Sequence, residues 1–435
     1  MVRLLTIALI LAAASAVAQE SSQTPVDTDW PKWRGPRGDG TWNAPRLADD
    51  WPKTGLKEHW SKPIGGGYAG VSVARGRVFV LDRQTGPLDP ATSKPDPKTE
   101  FERLVCLDAK TGEKVWIDSW PQSYGDLNYG SGPRAAATVH GEFVFLLGAL
   151  GQLRCVRVRD GELVWSHDLV SKFGGRPPTW GYAASPLVSG ETLIVQPGGK
   201  DGFSVMAFDL KDGRVVWHSL DDQAGYSWPV PIRRSGSKID ELVLWTPSHV
   251  RGLEAATGKP LWQIPYDVSE GVSIATPIFH DDIAVVCGYW EGSKAVQLGA
   301  TPGEATLLWE ERLLRGLMSQ PLFRDGNAFL LDRRDGVVCF ELKSGRTLWN
   351  DGNRLTPRGR DPQASFVWIG HEDQVLALNS DGELVLARFG KQGYSEQARA
   401  KIIDPTWAHP AFVGNRVYAR SDTKIVCVEL PLKER

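Results

Sequence analysis

The sequence predicts an all-β chain, an eight-bladed β-propeller of four-stranded blades whose ring is closed by pairing an N-terminal strand with the last three C-terminal strands. Three observations carry this. A run of alternating apolar residues, an acidic or polar residue, a Gly turn and then Trp recurs, with the tryptophans at 116, 165, 217, 262, 309 and 349. A period of this length marks a repeat architecture and falls in the range of propeller blades. Each unit divides further into four short alternating runs separated by Gly and Asp, which is the signal of consecutive hairpins. Finally, the last unit lacks its fourth strand, and a turn-strand-Trp fragment with no strands before it lies near the other end. Length alone, 435 residues, suggests about three domains, but a single ring accounts better for 46 Gly and 18 Trp beside only 3 Met.

Residues 1–18 read as a cleaved signal peptide. Arg3 supplies the positive start, Leu4 to Ala13 the apolar stretch, and Ala16-Val17-Ala18 the small-residue cleavage site. The apolar run is short for a membrane span, and no Cys near the site offers lipid attachment. The expected protein is exported, periplasmic or extracellular, and not a lipoprotein. Residues 19–53 form a lead-in segment expected to pack across the propeller, and 54–435 form the propeller itself.

Thr54-Gly55 to Trp60 is the isolated outer strand. The sixth unit shows the blade pattern most plainly, with strands at Gln320 to Arg324, Ala328 to Asp332, Val337 to Leu342 and Arg346 to Asn350. A seventh unit runs from Ser365 to a last strand, without Trp, near Ala398 to Ile403. The eighth has three strands, Ala411 to Val413, Val417 to Arg420 and Ile425 to Leu430. Joining it to the strand at Trp60 removes the open edge. The alternative is a seven-bladed ring with the seventh unit as an irregular insertion.

Charge nearly balances, 50 Lys+Arg against 52 Asp+Glu, which argues against a nucleic-acid partner recruited by a global positive field. No apolar run beyond the first segment approaches a spanning length, and the mature chain is expected to be a monomer. Five cysteines in an exported chain invite disulfides, yet Cys106, Cys155, Cys339 and Cys427 fall in one slot of the repeat, which Ala207 and Gly252 fill elsewhere. That slot reads as a small buried position; equivalent strands of different blades lie beyond the roughly 7 Å that a bridge allows. Free thiols are expected. The His residues are scattered, and no metal-binding, nucleophile-elbow or phosphate-loop motif is present. No catalytic residue and no metal ligand is assigned.

The loops entering the first strand of each blade, and the loops between second and third strands, open on one face. The entering loops carry aromatic and polar residues ahead of Pro. The candidates at this axial mouth are Tyr68, Tyr129, Trp180, Tyr182, Tyr226, Trp228, Gln320, Trp407 and His409. Such a mouth suits a flat ligand or a peptide; the same rings also suit simple packing of the axis. Residues 84–100, with four Pro and no apolar periodicity, form a long loop on this face, readable as a lid, a partner-binding arm or a tolerated insertion.

The segment Leu107-Asp108-Ala109-Lys110-Thr111-Gly112-Glu113-Lys114-Val115-Trp116 resembles the tryptophan-docking repeat of the quinoprotein dehydrogenases, the PQQ-like repeat. The likeness recurs across residues 54–430. It implies a structural docking role for Trp60, Trp116, Trp165, Trp217, Trp262, Trp309 and Trp349. The lead-in from Trp30 to Gly40 is similar to that of secreted bacterial PQQ-like propeller proteins. The chain also resembles the non-enzymatic propeller subunit of the outer-membrane barrel assembly machinery, though it lacks that subunit's lipid-attachment Cys. The dehydrogenase resemblance implies pyrroloquinoline quinone (PQQ) with calcium and an alcohol or sugar substrate. Against it, the adjacent-cysteine pair of those enzymes is missing, and no Asp or Glu–Asn set matches by motif. The first expectation is therefore a non-catalytic binding or scaffolding module of the bacterial envelope with a protein or peptide partner. The second is a PQQ-dependent oxidoreductase with a divergent site.

Overall fold

Alternating runs of β-branched and aromatic residues, cut every few positions by Gly turns, have one stable outcome: short antiparallel sheets packed face to face. In the computed structural model, which describes residues 27–87, 96–125, 127–370 and 373–433, the strands form eight sheets. Blade 1 runs outward from the axis as Ser72–Ala74, Arg77–Gln84, Phe101–Asp108 and Lys114–Pro121. Blades 2 to 7 follow in chain order from inner strands Thr138–His140, Leu187–Ser189, Val230–Ile232, Ile278–His280, Leu322–Arg324 and Ala364–Ile369. Blade 8 has Ala411–Val413 innermost, and its outer strand is Lys57–Pro63, paired antiparallel to Lys424–Glu429. The strand at Lys57–Pro63 thus completes the blade made by the last three strands, and the ring has eight members.

Residues 1–26, which include the expected signal peptide, and 88–95 of the long loop lie outside the described residues. The flanks of that loop are held together where the Gly86 amide donates to the Thr99 carbonyl, 3.2 Å.

The tryptophans sit at the seams between blades. Trp60, Trp116, Trp165, Trp309 and Trp349 each donate the indole N–H to a backbone carbonyl of the next blade, at Ala109, Val158, Leu210, Leu342 and Gly390. The next blade's turn glycine lies flat beneath the ring. At Gly161 an added Cβ would stand 2.6 Å from Trp116, and φ there is +75°, a conformation that favours Gly. Gly112, Gly213, Gly258 and Gly345 repeat this approach to Trp60, Trp165, Trp217 and Trp309.

The same register explains the small slot. Cys106, Cys155, Ala207, Gly252, Ala295, Cys339 and Cys427 are the direct cross-strand partners of the seven seam tryptophans, each beside a bulge. A large side chain opposite an indole would collide with it. All five cysteines are buried and free, and burial pushes the Cys106, Cys155, Cys287 and Cys339 thiols up to about 12.

Blade 7 departs from the expected boundary. Its outer strand is Gly393–Lys401, five residues earlier than the sequence suggested. Gly390 pairs directly with Gly393, so a two-residue hairpin replaces the usual five-residue turn, and Glu396 stands opposite Ala387 where other blades have Trp.

Segment 27–47 crosses the axis. Trp30 bridges to Val73 of blade 1, and the Val139 amide of blade 2 donates to the Pro31 carbonyl. Trp33 donates to Thr276 Oγ1 at 3.4 Å beside blade 5, and Gly38 lies against the ring of Trp228 beside blade 4. Arg34 donates to the Pro321 carbonyl next to blade 6, and Thr41–Trp42 add a parallel strand to Trp368–Ile369 of blade 7. Trp30 and Trp42 are buried. The channel that an eight-membered ring leaves open is filled by this stretch.

Candidate functional site at the axial mouth

Short inner strands place the loops that enter them around the axis, so side chains projecting from those loops converge. They enclose a cavity of about 270 Å³, to which the entering loops of all eight blades contribute. Tyr68, Tyr129, Trp180, Tyr226, Gln320, Trp407 and His409, seven of the nine mouth candidates, line it together.

Five of these rings form a continuous arc. Tyr68 lies 5.7 Å from Trp407, Trp407 5.8 Å from Tyr129, Tyr129 6.5 Å from Trp180, and Trp180 5.7 Å from Tyr226. The Trp180 amide donates to the Tyr226 hydroxyl, and burial pushes that phenol up to about 12. Tyr129 is held at φ +52° by Arg134, whose guanidinium donates to the Asn128, Tyr129 and Gly132 carbonyls and lies 5.4 Å from the Tyr68 ring centre. Burial lowers the Arg134 pKa.

The other two candidates lie elsewhere. Tyr182 is buried in the core between blades 2 and 3, and its hydroxyl donates to the Pro197 carbonyl at 2.7 Å. Trp228 is buried in the core beside Leu187, against the lead-in at Gly38. Each stands two residues after a cavity-lining residue, Trp180 or Tyr226, in irregular backbone ahead of its inner strand, where strand alternation does not set the direction of the side chain.

The opposite wall was not read from the sequence. Tyr289 and Trp290 come from the loop between the second and third strands of blade 5, with rings 4.7 Å apart. Tyr289 donates to Asp361 Oδ1 at 2.6 Å, and Arg360 sits beside that carboxylate at 3.6 Å. The signal was present: this loop opens on the mouth face and carries two adjacent aromatics. Val272, Ile274 and Met318 add apolar wall.

The floor is Trp33, Gln320 and His409. Trp33 lies 4.3 Å from His409, the two rings tilted by 48°. Gln320 accepts from the Thr276 amide and donates to the Met318 carbonyl, so its polar ends are spent on the fold. Burial, and secondarily Arg34, push the His409 pKa down to about 3, leaving a neutral ring. The lead-in thus backs the cavity through Trp33, on the side away from the mouth face.

Calcium prefers six to eight oxygen ligands rich in carboxylate. The cavity offers one carboxylate, Asp361, already engaged by Tyr289 and Arg360, and its lining holds no Cys. Among the described residues no cluster of three His, Cys, Asp or Glu is placed to hold a metal ion. These residues do not fit a calcium-held quinone.

The structure is similar to a europium-containing methanol dehydrogenase, TM-score 0.62 at 12% identity, over 90% of this chain and 89% of that one. It is also similar to BamB from Moraxella catarrhalis, TM-score 0.58 at 16% identity, over 87% of this chain and 99% of that one. These likenesses are of fold. In sequence, the chain is 23% identical over 319 residues to the outer membrane protein assembly factor BamB of Yersinia pestis, covering 68% of this chain and 74% of the relative. The family model for outer membrane protein assembly factor BamB, a PQQ-like repeat, matches residues 100–350 and 246–434, and the chain belongs to that family.

Proposed function

We propose that this protein is an exported, non-catalytic binding module of the bacterial cell envelope, and that its axial mouth captures an aromatic- or proline-bearing segment of a partner protein. The observation that carries the proposal is the arc from Tyr68 to Tyr226, set in a cavity that the lead-in backs through Trp33. Rings present large apolar faces at low entropic cost, and prolyl or aromatic side chains dock well on such walls. Trp33 behind the cavity favours the insertion of a side chain or chain end over threading. The family, named for assembly of outer membrane proteins, supports a protein partner. Among the described residues no helix is long and apolar enough to cross a membrane. In this reading the signal at 1–18 delivers the chain across the inner membrane without a lipid anchor.

A photo-crosslinking residue at Tyr129, installed in cells, tests this. The expected result is a discrete adduct to an envelope protein, lost on Trp180→Ala or Trp407→Ala. The same probe at Arg159, in a turn between the third and fourth strands of blade 2, is expected to give no such adduct. Equal adducts at both positions, or adducts indifferent to Trp180 and Trp407, defeat the reading.

A further inference from the structure

The lead-in buries positive charge on the axis without burying a carboxylate beside it. Arg34 is 8% exposed. Its Nη2 donates to the Asp39 and Pro321 carbonyls, both at 2.9 Å, while its Nε is buried with no partner. Lys32 is half-buried and its ammonium makes no hydrogen bond or ion pair among the described residues. The carboxylate that acts on both cations, Asp39, is exposed and spends Oδ1 on the amide and hydroxyl of Thr41.

Beneath Trp33, between the lead-in and the inner strands, lies a second cavity of about 20 Å³. Lys32, Arg34, Gln320, Ser365 and His409 are its polar lining, and no Asp or Glu borders it. A buried charge must be paired, coordinated or neutralised. The guanidinium stays protonated at neutral pH even with its pKa lowered by burial to about 10, and the neutral His409 ring brings an N–H but no charge.

We propose that this axial cavity is a binding site for one monovalent anion of chloride size, held between the guanidinium of Arg34 and the ammonium of Lys32, whose side chains line it. The volume is that of a single water-sized occupant, so a tetrahedral oxyanion does not fit. A water molecule there brings no negative charge, and exposed Asp39 is the one carboxylate acting on both cations. An ion here ties the lead-in to the inner strands of blades 7 and 8, directly below the floor of the mouth. This does not depend on what the mouth binds.

The test uses the full chain. Crystals grown in sodium bromide are expected to show an anomalous difference peak in this cavity, within hydrogen-bond distance of the Arg34 guanidinium. In solution, exchanging gluconate for chloride at constant ionic strength is expected to raise the Tm saturably. Lys32→Met, a half-buried side chain without hydrogen bonds, is expected to keep the fold and weaken that halide response about tenfold. Arg34→Gln serves as a second variant that abolishes it. No bromide peak, a water in its place, or a halide response unchanged in Lys32→Met overturns the proposal.

Discussion

Arg234 and Glu241 meet at 2.7 Å with neither side chain exposed. They stand at the seam of blades 4 and 5, where the tryptophan rule changes. Trp262 turns its N–H back to Glu241 Oε2 of its own blade, 3.2 Å. Arg234 then reaches across to the Gly299, Thr301 and Glu304 carbonyls of blade 5. The cause is local: the turn between Leu298 and Ala305 has one residue more than those of the regular blades, and Gly303 no longer lies beneath the indole. An ion pair with three carbonyl bonds replaces the indole link.

Removing one partner of that pair leaves a buried charge alone. Glu241→Met and Arg234→Met are each expected to destabilise the fold by about 3–5 kcal/mol, measured by urea unfolding. The double variant Arg234→Met/Glu241→Met is expected to cost less than the sum of the two, since neither charge is then stranded.

Trp116 and Trp217 occupy equivalent places but differ in one bond. The Trp116 N–H reaches the Val158 carbonyl at 3.0 Å, whereas the Trp217 N–H is buried without a partner. Replacing each by Phe removes similar volume. Trp116→Phe also strands a carbonyl, while Trp217→Phe relieves an unpaired donor. Trp116→Phe is expected to be the more destabilising by about 1 kcal/mol or more in denaturant titrations.

These two cases show what the sequence made legible. Trp116 and Trp217 look alike in the repeat, and the repeat alone pointed to eight blades, to the closing strand at Trp60 and to a small buried slot on the third strand; that the slot faces an indole appears only in the strand register. The partner of each N–H was not readable, because it depends on the length of the neighbouring blade's turn. The same limit moved the outer strand of blade 7 to Gly393, where a tight hairpin carries no Trp to mark it. At the mouth, loop position identified one wall. Tyr182 and Trp228 look the same in sequence as Trp180 and Tyr226, and only the direction of the side chain separates core from cavity. Tyr289 and Trp290 belong to a different class of loop, and Trp33 comes from outside the repeat.

Each of the five thiols is buried, and desolvation raises every one, Cys427 to about 11. Thiolate is the reactive form, so the native protein is expected to be inert to alkylating and disulfide reagents at pH 8. Unfolding is expected to release five reactive thiols, and the intact mass to be unchanged by reductant. A mass gain of two protons on reduction, or fewer than five thiols after unfolding, contradicts the free-cysteine assignment.

His409 links stability to pH with a definite sign. In the folded chain its pKa lies near 3, and its ordinary value is 6.5. Between those values the unfolded chain binds a proton that the native chain refuses. Stability therefore falls as the pH drops from about 6.5 toward 3, with a limiting slope of about 1.4 kcal/mol per pH unit from this group. Carboxylates held below their ordinary range, such as Asp222 beside Arg251, act in the same direction but only nearer pH 4. Between pH 6 and 5 the carboxylates contribute little, but His167, whose pKa burial also lowers, adds a slope of the same sign, so the share of His409 is read from its variant. His409→Gln, which cannot take up the proton, is expected to flatten the stability profile there, whatever it costs in absolute stability through its contact with Trp33. Urea unfolding of both proteins at pH 7, 6 and 5 measures the two slopes, and parallel profiles would show that His409 accepts its proton in the fold.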